Sequence, residues 1–108
     1  MVTDTLEQIA ALVAKGEVRV SEHGYDELAA DGILLRDLVA GMPAAEPVED
    51  YPAFAKGPCV LVLQRDRDGN PVHVLWGIPQ GEKSPAVLVT AYRPDPKRWD
   101  VGLKRRLT

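Results

Sequence analysis

The hydrophobic period changes at Pro43, and that change most restricts what the chain can fold into. Before it, apolar residues recur at helical spacing; after it, they run in extended blocks. Leu6, Ile9, Ala10 and Val13 follow the one-face rule of a helix, which predicts an N-terminal helix within residues 1–16. Asp4-x-x-Glu7 and Thr5-x-x-Gln8 both read as capping boxes for its start, and Gly16 stands where a C-terminal cap belongs. Glu17-Val-Arg-Val20 alternates like a strand of minimal length. Ser21 then reads as the N-cap of a second helix through Tyr25, Leu28 and Ala29 that stops near Gly32. A third helix is expected from about Ile33 to Ala40, ended by Gly41 and Pro43.

Beyond Pro43 the blocks are strand-like. Glu46–Tyr51 contains Pro47, which cannot donate to a ladder, so it belongs at a sheet edge. Pro58–Gln64 is a continuous apolar run suited to a central strand, and Pro71–Ile78 and Ala86–Tyr92 return from it across polar turns. Short turns favour an antiparallel meander. Helices followed by a meander predict an α+β domain with helices on one sheet face.

Size and composition agree with one domain spanning 1–108. A chain of 108 residues, 45% apolar and 27% charged, can bury a core without staples. No apolar run approaches the roughly 18 residues of a membrane span, and the acidic, polar start lacks the basic region of a signal peptide. The lone Cys59 excludes an internal disulfide and fits a reducing cytoplasm; within its apolar run it reads as a small buried hydrophobe. The net charge of −3 hides an asymmetry. Residues 97–108 carry Lys97, Arg98, Lys104, Arg105 and Arg106 against Asp100, a net +4, which leaves −7 on the rest. Such a tail suits contact with nucleic acid or an acidic partner, or is a solvated C-terminal helix.

Standard catalytic motifs are missing. The glycines are scattered rather than gathered in a phosphate loop, and two histidines fifty residues apart with one cysteine make no metal set, so no cofactor or metal is expected. Asp66-x-Asp68-x-Asn70 starts like a calcium loop, but Pro71 stands where that loop needs glycine and Gly77 where it needs glutamate. A hairpin turn explains the same residues. What remains are polar residues on apolar strands. His73 alternates with Val72 and Val74, and Thr90 and Tyr92 share a face of the last strand. If those strands are neighbours, a histidine and a phenol converge, the equipment of general acid–base catalysis. The other reading is a sheet histidine whose nitrogens bond backbone or solvent, with Tyr92 packed beneath the helices.

One ordered combination goes further. A helix-start His23, Gly32-Ile33, Glu49-Asp-Tyr-Pro52, a Pro58-Cys-Val-Leu strand, Gly69-x-Pro71-Val-His73-Val74 and Val89-Thr-Ala-Tyr92-x-Pro94-Asp95-x-x-x-Trp99 follow one another. Across residues 18–99 this resembles a family of small bacterial domains of unknown function grouped with RelE- and BrnT-type toxins. The first helix and the basic tail stand outside that core. The resemblance implies a RelE-like fold, N-terminal helices on a curved antiparallel sheet of three to four main strands, in a bacterial cytoplasm. It also implies a possible endoribonuclease with His23, His73 and Tyr92 as catalytic residues. Arg93, Lys97, Arg98, Lys104, Arg105 and Arg106 would meet RNA or a small antitoxin-like partner, and the chain would be a monomer or homodimer. The departures are local. Where the family pattern has arginines along the helix after its histidine, this chain has Asp26, Glu27 and Asp31, which would repel a phosphodiester. A non-catalytic protein-binding module of the same fold is the alternative, with Pro47, Phe54 and Trp99 as its surface.

Overall fold

The computed structural model describes residues 3–107; Met1, Val2 and Thr108, which belong to the expected N-terminal helix and basic tail, lie outside them. Helix α1 spans Asp4–Ala14. Its cap is Thr3, one residue before the expected boxes: the Thr3 hydroxyl accepts the Leu6 amide at 3.0 Å, while Thr5 is buried. The helix ends as expected at Gly16 (φ +77°), where the Gly16 and Glu17 amides reach back to the carbonyls of Val13 and Leu12.

Strand β1 is Val18–Val20 and helix α2 is Glu22–Asp31. Ser21 does two jobs at the junction. Its hydroxyl accepts from the Gly24 amide at 2.9 Å and donates to the Val89 carbonyl at 2.8 Å, tying the helix start to the last strand. Gly24 is required there by space, because a Cβ would stand 2.8 Å from the Leu88 carbonyl oxygen. Helix α3 covers Leu35–Ala40 rather than Ile33–Ala40, and its N-cap, Leu34, offers no side-chain acceptor. Ile33 instead closes α2, donating its amide to the Leu28 carbonyl and burying its side chain in the core beside Leu28. A 3₁₀ turn over Met42–Ala44 follows.

Strands β2 (Glu46–Tyr51), β3 (Cys59–Arg65), β4 (Pro71–Gly77) and β5 (Ala86–Tyr92) complete the fold. The sheet is five-stranded and mixed, in the order β1-β5-β4-β3-β2, with β2 at an edge as its proline demands. The expectation of an antiparallel sheet of three to four main strands therefore needs correction. Strand β1 adds a parallel edge, pairing Val18 with Ala86 and Val20 with Leu88. No turn links these strands, so nothing in the local pattern announces the pairing. The chain is α+β, as expected. Among the described residues no helix is long and apolar enough to cross a membrane.

The sheet's two faces differ. On one, Val60, Val62, Val72, Val74 and Trp76 meet Leu6, Ile9, Leu28 and Leu38 in the core. Gln64 is buried there too, and both ends of its amide are used: its Nε2 donates to the Leu38 carbonyl at 2.7 Å and its Oε1 accepts from Trp76 Nε1 at 2.8 Å. The opposite face carries His73 opposite both Leu63 and Tyr92. It also carries a row formed by Arg19, Val87, Gly77, Cys59 and Tyr51, each paired with the next across the five strands.

The basic tail is neither a helix nor a detached extension. Beyond Pro96 it doubles back, with Trp99 bridged to Arg106, the Leu107 amide on the Arg98 carbonyl and the Asp100 amide on the Arg105 carbonyl, each 2.8 Å. Leu103 takes a left-handed conformation (φ +60°) at its tip, which costs a branched side chain about 1–2 kcal/mol. The segment lies over the second face. Trp99 is only 6% exposed, Lys104 pairs with Glu46 at 2.7 Å and Arg106 with Glu49 at 2.8 Å, both on β2.

Candidate functional site

Strand register brings His73 and Tyr92 together, since they are directly opposed on β4 and β5. The Tyr92 hydroxyl is 3.2 Å from His73 Nδ1, and the Leu103 carbonyl oxygen is 2.6 Å from Nε2. A carbonyl can only accept, so Nε2 carries the hydrogen; Nδ1 then holds the lone pair and accepts from the Tyr92 hydroxyl. The contacts thus select one neutral tautomer. The ring is fully buried, edge-on to Trp99 at 4.4 Å and to Tyr92 at 5.3 Å between centroids. Burial pulls the imidazole pKa below its ordinary value, partly opposed by the bond to Leu103. Burial likewise pushes the Tyr92 phenol up. His73 has therefore spent both nitrogens, and Tyr92 has spent its proton, while the phenol oxygen keeps acceptor capacity. Neither alternative of the sequence reading holds alone: the histidine does meet the phenol and does bond backbone, and Tyr92 lies on the face away from the helices.

His23 is not part of this group. It stands exposed in the first turn of α2, 3.6 Å from the Glu27 carboxylate, and Leu28 of that helix packs into the core on the other side of the sheet.

The basic residues divide into held and free. Arg93 reaches the Asp66 carboxylate at 2.9 Å and the Pro71 carbonyl at 3.4 Å. Asp66 is itself fixed in the hairpin turn by the amides of Asn70 and Asp68, and these bonds, the Asn70 amide first, hold its carboxyl below the usual range. Lys104 and Arg106 are held by β2, and the Arg106 guanidinium sits 5.2 Å from the Trp99 ring centre. Lys97, Arg98 and Arg105 are exposed and have no carboxylate within 4.0 Å among the described residues. Between the end of β5 and the doubled-back tail lies a cleft of about 610 Å³, lined by Tyr92, Arg93, Asp95, Arg98, Trp99 and Arg106. Three guanidiniums against one carboxylate around two aromatic rings suit an anionic, planar ligand. Among the described residues no three His, Cys, Asp or Glu side chains gather to hold a metal ion.

Sequence reasoning missed the residues that organise this site: Leu103, whose carbonyl fixes the histidine, and Glu46 and Glu49, which hold the tail. A register shift in β2 between Pro47 and Glu49 accompanies the use of both glutamates by the tail. No local spacing encodes it.

The family model described as "Domain of unknown function (DUF4258)" matches residues 20–93. The chain belongs to this family. The match takes in His23, His73, Tyr92 and Arg93 and stops before Trp99, so the DUF4258 portion supplies the sheet pair while the tail supplies the cover. No curated protein and no solved structure matches the chain.

Proposed function

We propose that this DUF4258 protein is RNA-directed, related in fold and role to RelE- and BrnT-type toxins, and that it holds single-stranded RNA in the cleft between β5 and the tail. The observation that carries the reading is the convergence of Arg93, Arg98 and Arg106 beside Tyr92 and Trp99 in a chain of net charge −3. Guanidiniums neutralise phosphates and the aromatic edge accommodates bases. His73 acts here as a positioning residue that fixes Tyr92 and Leu103, because its lone pair is already occupied. The proposed setting is the cytoplasm, where Cys59 stays a thiol, with a small antitoxin-like protein as partner.

Fluorescence anisotropy with a labelled single-stranded RNA is the test. Binding should weaken steeply with salt, and Arg98→Ala, which removes a cleft arginine with no carboxylate within 4.0 Å among the described residues, should weaken it several-fold and lower the salt slope by about one. Absence of binding at low salt, together with harmless overexpression, would overturn the proposal. The same fixed His73 favours a second reading, a protein-binding module of this fold without ribonuclease activity. Wild-type RNA cleavage abolished by His73→Ala in a folded protein would exclude it.

A further inference from the structure

Among the described residues, the tail covers one end of the second sheet face. Over His73 the tail seats an aromatic anchor, Trp99, and pairs two cations with the glutamates of β2. At the other end, Arg19, Val87, Gly77 and Cys59, paired in a row across four strands, line an apolar trough of about 310 Å³. Gly77 has no side chain to fill it. Leu75, Val89 and Phe54, the last 52% exposed, line it too. The wall that carries Lys56 is fixed, because the Gln80 amide donates to the Lys56 carbonyl and the Ile78 amide to the Pro58 carbonyl, each at 3.0 Å.

Charge distinguishes the two ends. Arg19 and Lys56 flank the trough, and neither has a carboxylate within 4.0 Å among the described residues. The Asp50 carboxylate, near enough to add to the upward push that burial gives the Cys59 thiol, does not line the trough. We propose that this open end docks an acidic segment of a partner polypeptide, an apolar side chain entering over Gly77 and its carboxylates meeting Arg19 and Lys56. The tail is the internal precedent: an aromatic anchor with flanking charges opposite to those beneath it. A second copy's tail is excluded as occupant by sign, since Lys104, Arg105 and Arg106 would face Arg19 and Lys56. The site is separate from the RNA cleft and stands or falls independently of it.

The experiment uses the full chain and a fluorescein-labelled hexapeptide with a central Leu-Trp pair flanked by Asp and Glu, against a counterpart with Lys in their place. The acidic peptide should bind at least about tenfold tighter and move the amide resonances of Val87, Gly77 and Cys59. The double variant Arg19→Glu/Lys56→Glu, which alters only exposed side chains, should reverse the preference while leaving the far-ultraviolet circular dichroism unchanged. Equal affinity for both peptides, or shifts confined to the Trp99 cleft, would overturn the proposal. So would a dimer in sedimentation that Phe54→Asp abolishes.

Discussion

One sheet face carries two differently finished ends. Around His73 it is sealed by the chain's own tail, with a buried aromatic, a histidine bonded at both nitrogens and two ion pairs to β2. Around Gly77 it is an apolar floor flanked by Arg19 and Lys56, which have no carboxylate within 4.0 Å among the described residues. The strands beneath are the same, so the difference comes from what lies above them. Polar chemistry on a sheet is silenced when a covering segment satisfies it, and the uncovered end keeps what the covered end has spent.

The sharpest way to break this comparison is to remove the anchor. Trp99→Ala deletes a nearly buried ring that packs edge-on to His73 and should cost about 3 kcal/mol in urea unfolding. Phe54→Ala, at the open end and half exposed, should cost less than about 0.5 kcal/mol. Equal costs would mean that the tail is not integral to the fold.

A smaller effect should follow from acid. His73 has a folded pKa below its ordinary value near 6.5, because burial disfavours the imidazolium. The unfolded chain therefore binds the proton more readily, and stability is fully present above about pH 6.5. It declines as pH falls from there toward the folded pKa, where the slope flattens. Protonation also removes the Nδ1 lone pair that accepts from Tyr92. Thermal unfolding from pH 8 to pH 5 should show this decline in the native chain and its loss in His73→Gln. An identical profile in the variant would assign the decline to other groups. The carboxyls of Glu46, held low first by its hydrogen bond to Lys104, and of Asp66, held low by the Asn70 amide, act only at more acidic pH.

How much of this was legible in the sequence follows from the range of each interaction. The helices announced themselves through their period, and Ser21 and Gly32 cap α2 where the pattern placed them, while Thr3 replaces the boxes expected for α1 and α3 begins at Leu35 without a side-chain cap. The three long strands were equally plain, and facing His73 with Tyr92 required only that β4 and β5 be neighbours. Strand β1 was visible as a segment but not as a parallel edge, since its partner is far along the chain and no turn connects them. The tail was visible only as charge. Its cations read as a free basic surface, yet Lys104 and Arg106 are paired with Glu46 and Glu49, contacts between the tail and the middle of the sequence that no periodicity carries. His23 shows the reverse: its position in the motif order pointed to a site, while the structure leaves it exposed beside Glu27.

The smallest expected effect on stability tests the open end most directly. A Cβ on Gly77 would lie 3.4 Å from the Cys59 Cβ and 3.5 Å from the Pro58 carbonyl oxygen, ordinary contacts that demand no movement. A glycine within a strand carries extra unfolded-state entropy, so Gly77→Ala should be neutral or stabilising by about 0.5 kcal/mol. The same methyl would occupy the floor over which an incoming side chain must pass, and should weaken the acidic peptide while leaving RNA affinity untouched. A destabilised variant would mean that the trough is already filled by tightly packed neighbours. A stable variant with undiminished peptide binding would move the docking site away from Gly77. Stability retained and binding lost would show that this glycine is kept for the space above it, which at the covered end of the face is taken by Trp99.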